Sequence, residues 1–227
     1  MRLLIRKHIF LLAWAQKRLS ERQFLILSSA LIGLTAGLFA IILKTSVHHI
    51  HDLLIAINTS GFSYVYLFLP LGGLLLTTFY VQRFHKGVLE KGTAFVLYSI
   101  SRKSSLLAPL HMVAHIITSS ITIGLGGSSG LEAPIATTGA AIGSNYSRVY
   151  RLNYKQRTLL LSCGTAAGIA AVFNAPVAGV LFSIEVLLID ISATAFIPLI
   201  IAAAVGALCS NIVLNDGILL SFEAQQT

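Results

Sequence analysis

Charge is what this sequence has least of. Only 11% of its residues are Asp, Glu, Lys or Arg, where soluble domains carry about a quarter. That scarcity excludes an ordinary soluble domain and a disordered, highly charged chain. Cysteine is nearly absent: Cys163 and Cys209 both sit inside apolar runs, so they read as small core residues and not as a disulfide or metal framework. Strand-like alternation is missing, which argues against a β architecture. No basic patch interleaved with aromatics suggests a nucleic-acid partner, and no cofactor-binding signature is present. After the first apolar stretch come Lys17 and Arg18 where a leader would need a small-residue cleavage site, so residues 1–19 are expected to form an amphipathic, basic surface helix.

What is present is apolar length. Hydrophobic residues make up 56% of the chain and mean hydropathy is +0.83, the composition of a multi-pass, all-α integral membrane protein. The net charge of +8 follows from bases grouped at 1–22, 83–103 and 148–157, with only Lys44 and a histidine-rich stretch between the first two groups. The positive-inside tendency then places the N-terminus in the cytoplasm and residues near 50–62 outside, with the plasma membrane as the expected location. The transmembrane region is expected over 20–214, followed by a polar tail or truncation point at 215–227.

Within that region, Ser20-Glu21-Arg22-Gln23 fits a capping box opening a helix that runs to the mid-50s. Gly33 and Gly37 on that helix have close-packing spacing. A second span is predicted over 64–84, a short helix at 91–101, a span at 105–125, small-residue helices at 132–149 and 155–172, another short helix at 177–190, and a last span at 194–214. The pairs Gly139/Gly143 and Gly164/Gly168 repeat the packing theme. Short apolar helices interrupted by Gly and Pro put non-helical backbone at membrane depth, which survives only beside protein or a water-filled cavity. In transporters such helix ends aim free N–H groups and the positive dipole end at an ion.

The most informative stretch is GLGGSSGLEAPIATTGAAIGS, Gly124 to Ser144. A glycine-serine turn leads to Glu132 and Pro134 in the first turn of a helix, where a proline's missing N–H does no harm. An acid there stabilises any helix dipole. In a membrane, a carboxylate costs at least roughly 2.5–3.5 kcal/mol and is read as functional. Its negative charge would compete with an anion for the same amides, and protonation would release them.

The chain resembles the CLC family of chloride channels and chloride/proton exchangers. Gly130-Leu131-Glu132-Ala133-Pro134 matches the Gly, Glu and Pro of the family's G-[R/K]-E-G-P motif. Phe173-Asn174-Ala175-Pro176-Val177-Ala178-Gly179-Val180-Leu181-Phe182-Ser183-Ile184-Glu185 closely resembles F-[N/G/A]-A-P-x-[A/G]-G-x-L-F-x-x-E. Upstream, Glu90-Lys91-Gly92-Thr93-Ala94 keeps only the middle glycine of G-[S/H]-G-[I/V]-P. The resemblance implies the first half of an inverted-repeat fold, a chloride or similar anion as the transported ion, protons as a second partner, and a homodimer. It implies Glu132 as gate and anion contacts at Lys91, Gly92, Thr93, Gly130, Leu131 and Ala133. Lys91 stands where the family has a serine or histidine; it either binds the anion or turns toward the cytoplasm. Val186 stands where exchangers often carry a second acid, which puts proton coupling in doubt, and Glu185 is expected to be a hydrogen-bonded structural acid. The family's second half, with its further helix terminus and tyrosine, is not found in these residues, so a fragment or truncated product is expected, with a half-length protein that pairs with a copy or a partner as the alternative.

Other readings compete. Gly127-Ser128-Ser129-Gly130 fits the G-x-S-G of rhomboid intramembrane serine proteases, and with Gly126 a nucleophile elbow. Their base follows the serine in sequence, whereas the last histidine here is His115. A non-transporting membrane scaffold is the third reading. His48, His49, His51 and Asp52 form a cluster that suits either a solvated helix end or a metal.

Overall fold

A computed structural model describes residues 20–58, 63–85, 87–90, 92–187 and 193–214. The expected surface helix at 1–19, the tail at 215–227 and Lys91 lie outside them. Among the described residues the chain is all-helical: α1 (Glu21–Asn58), α2 (Ser63–His85), α3 (Thr93–Arg102), α4 (His111–Gly124), α5 (Glu132–Val149), α6 (Tyr154–Phe173), α7 (Pro176–Leu187) and α8 (Ala193–Leu214). Three stretches, Glu21–Leu54, Tyr154–Phe173 and Ala195–Leu214, are long and apolar enough to cross a membrane.

The helix starts are written locally. Ser20 Oγ accepts the Gln23 N–H at 3.4 Å while Gln23 Oε1 accepts the Ser20 N–H at 3.2 Å, the expected capping box. Asn153 and Gln156 form a second one at the start of α6. This helix stops where Asn174 takes the left-handed conformation, φ 50°, ahead of Pro176.

Small residues decide the packing. A β-carbon on Gly139 would strike the Gly164 backbone, and one on Gly143 the Leu160 backbone, so α5 and α6 lie at backbone contact. On α1, Gly33 and Gly37 face Ala202 and Gly206 of α8. Gly206 in turn faces Ala167 of α6, and Gly179 of α7 faces Ala166. The buried core accordingly runs through Ile32, Ala36, Leu160, Ala166, Ala170, Leu199 and Ala203. Inside it, hydroxyls tie helices together: Thr165 Oγ1 donates to the Ala136 carbonyl at 3.2 Å and Ser183 Oγ to that of Ser162 at 3.1 Å. Each buried hydroxyl so paired avoids the desolvation penalty of an orphan.

The predicted span at 105–125 is corrected. The helix occupies only the 14 residues from His111 to Gly124. Ser104 and Ser105 adopt φ of 51° and 60°, and Ser144 of α5 holds the loop. Its Oγ donates to the Ser105 carbonyl at 2.7 Å and accepts the Leu107 N–H at 2.9 Å. Backbone groups that a helix would have paired are thus satisfied by a side chain 37 and 39 positions away in sequence.

Candidate functional site

The turn before α5 is built by the end of α4. The N–H groups of Leu125, Gly126 and Gly127 donate to the carbonyls of Ile121, Ile123 and Thr122, closing α4. Gly126 has φ 85°, a conformation suited to glycine. Among the described residues, the N–H groups of Ser128, Ser129, Gly130, Leu131, Glu132 and Ala133 have no acceptor, and the helical ladder begins only with Ile135 N–H to the Leu131 carbonyl at 3.1 Å. Leu131, the residue before α5, provides no side-chain cap. Unpaired amides at the positive end of a helix dipole form a place for negative charge.

Glu132 stands at the first position of α5, next to these amides in the chain. Its carboxylate folds back over the turn so closely that a β-carbon on Gly130 would collide with Oε2. No hydrogen bond or ion pair to this carboxylate is present among the described residues, and Gly130, Glu132 and Ala133 are exposed in this chain while Leu131 is half-buried.

The helix end lies within the height of the bundle. At the far end of α5, Tyr150 packs edge-on to Phe24, centroids 5.9 Å apart, and the Tyr146 hydroxyl donates to Ser28 Oγ at 3.1 Å. At the near end, Leu131 packs on the cluster containing Ala40 and Leu43, against which Val47 of α1 also packs. From Val47, α1 runs on to Asn58, about 16 Å farther at 1.5 Å per residue.

The second predicted anion contact, Gly92 and Thr93, starts α3. Gly92 has φ 84° and ψ 175° and no side-chain cap; both residues are half-buried. Thr93, Ala94 and Phe95 N–H groups find no acceptor among the described residues, and Val96 N–H reaches the Gly92 carbonyl at 3.4 Å. This helix clusters with Ala140 and Ala141 of α5, about two turns along from Glu132.

Three other expectations can be placed. Glu185 is exposed and makes no hydrogen bond among the described residues, so it is not the buried, hydrogen-bonded acid expected of it. Ser128 and Ser129 are exposed in the turn, and among the described residues no histidine hydrogen-bonds to either. His48 and Asp52 approach to 3.7 Å on an exposed helix face, and the described residues contain no group of three His, Cys, Asp or Glu able to hold a metal. The sequence reading missed Ser144, whose loop clamp has no local signal.

The profile described as "Voltage gated chloride channel" matches residues 73–227. The chain belongs to that family. Among curated members, the chloride channel protein CLC-c of Arabidopsis thaliana is 40% identical over 94 residues, covering 36% of this chain and 12% of the relative. The H(+)/Cl(-) exchange transporter ClcA of Klebsiella pneumoniae is 28% identical over 182 residues, covering 75% of this chain and 39% of the relative. A slow cyanobacterial Cl-/H+ antiporter of known structure superposes with TM-score 0.73 at 19% identity, covering 92% of this chain and 51% of that one. That last likeness establishes the shared fold. The chain therefore spans about half the length, or less, of these relatives.

Proposed function

We propose that this chain supplies one half of a CLC-type pathway carrying chloride or a similar small anion across a membrane. In this reading the bare amides from Gly130 to Ala133, with those of Gly92 and Thr93 and the neighbouring Lys91, meet the anion. Glu132 is the gate. Deprotonated, its carboxylate occupies the positive helix end and holds the anion off; protonated, it gives the position up, so proton and anion occupancy are coupled. The observation that carries the proposal is the carboxylate folded back toward Gly130, within a run of six consecutive amides that have no acceptor among the described residues. Exposure of these residues in the isolated chain agrees with a pathway wall completed by further protein.

The full-length protein would work as a homodimer, the N-terminus cytoplasmic, in the plasma membrane. Relatives named as a channel and as an exchanger both align with part of this chain, so the proposal covers both transport modes. The test is chloride efflux from liposomes carrying the complete protein, comparing wild type with Glu132→Gln across pH. Acid raises wild-type flux, and the variant runs at the acid level throughout. Identical flux and pH response in the two proteins would remove Glu132 from the gate.

A further inference from the structure

A cavity of about 300 Å³ opens between the end of α2 and the start of α4, lined by Phe84, His85, Val88, Glu90, Leu110 and His111. It belongs to the basic end of the bundle. Lys103 beside Glu90 leads into Ser104, whose carbonyl accepts from Arg157 at the start of α6 at 3.0 Å. Two imidazole nitrogens there, His85 Nε2 and His111 Nδ1, are buried and have no hydrogen-bond partner among the described residues. Buried polar atoms are nearly always paired, and these two lie beside an open groove whose lining is mostly apolar apart from His85, Glu90 and His111.

Charged groups flank the imidazoles. Glu90 lies 3.4 Å from Lys103 Nζ, and that ammonium also sits 5.3 Å above the rings of both Phe95 and Tyr98. Burial holds the His111 imidazole below its ordinary pKa, with Glu90 opposing that and His85 and Lys103 adding to it; its ring stacks on His115 at 5.5 Å and meets Phe95 at a tilt, centroids 4.9 Å apart. On its own helix His85 has Tyr80, at 5.5 Å between ring centroids, and Arg83 two positions away. The segment carrying Glu90 is bracketed by Gly87 and Gly92, both at positive φ, and it ends at the first turn of α3.

We propose that this cavity is a proton-binding site, in which His85 and His111 take up protons and draw the Glu90 carboxylate from Lys103. Proton occupancy thereby sets the position of the segment that opens α3. An imidazole suits the task because its charge changes between about pH 5 and 8, and a carboxylate that must choose between a fixed ammonium and a titrating pair is a two-position element. The consequence for transport rests on the anion pathway proposed above; the proton site itself does not.

The two are separated by paired measurements on the complete protein. In lipid nanodiscs with 15N-labelled imidazoles, the His111 titration midpoint falls in Glu90→Gln, since the negative charge that favours its cation is gone, and it also moves in His85→Gln. Glu90 is exposed, so its isosteric replacement leaves the fold intact. An unchanged His111 midpoint in both variants overturns the site. In liposomes, the response of flux to pH at the basic face is lost in the His85→Gln/His111→Gln variant while the Glu132-dependent response persists; an unaltered profile overturns the link to transport. Coupled titration without any anion flux would uphold the site and sink the pathway.

Discussion

Gly139 and Gly164 hold α5 and α6 at backbone contact, each occupying the space a β-carbon on the other would need. Gly139→Ala is therefore expected to lower stability by roughly 1–3 kcal/mol, the usual penalty of overpacking. Gly72→Ala is the control: nothing lies within 4 Å of the added carbon, and alanine in a helix gains about 0.5–1 kcal/mol over glycine. Thermal unfolding in detergent reads both. Equal behaviour of the two variants would contradict the close approach.

Ser144→Ala leaves the Ser105 carbonyl and the Leu107 N–H without their partner. Losing a buried partner costs about 1–3 kcal/mol. Hydrogen exchange at Leu107 should accelerate in step with the stability loss, while exchange in the middle of α8 changes only through global unfolding. Unchanged protection at Leu107 would dissociate the loop from α5.

Gly92 adopts φ 84° and ψ 175°, a region open essentially to glycine alone and worth about 1–3 kcal/mol of strain to other residues. Nothing within 4 Å would obstruct a β-carbon there, so Gly92→Ala acts through the backbone only. It should weaken anion binding by displacing the first amides of α3. Asn, which tolerates the ordinary left-handed region, should not rescue it. Chloride titration by calorimetry decides; wild-type affinity in the alanine variant would remove this turn from the site.

Gly130→Ala places a methyl group where Glu132 Oε2 now lies. The carboxylate must leave its position over the turn, so flux at alkaline pH should rise toward the level of Glu132→Gln. A variant that folds normally yet keeps the wild-type pH response would show that this pose of the carboxylate has no part in gating.

Much of the architecture could be read locally. The capping residue Ser20 marks the start of α1, and the glycine pairs on α1, α5 and α6 announce close-packed faces, because caps and helix-face spacing depend only on neighbours in sequence; the Asn153 cap of α6 was equally local but went unread. The turn before Glu132 was legible for the same reason: Gly, Ser and Pro in that order leave amides unpaired. The loop at 103–110 was not, since the apolar run there looks helical until Ser144 takes over its backbone hydrogen bonds. Glu185 misled because an acid in an apolar segment suggests burial, and only packing reveals which side of α7 it occupies.

By itself, then, the sequence determined the membrane-compatible composition, the positions of most helices and the presence of an acid at an uncapped helix start. These are consequences of hydropathy and of backbone chemistry over a few residues. Tertiary structure alone decided that Gly33 meets Ala202, that Ser144 interrupts a span, and that His85, Glu90 and His111 line one cavity. Each of those joins residues from separate elements, and such meetings are fixed by how closely whole helices can approach, a property that no single segment carries.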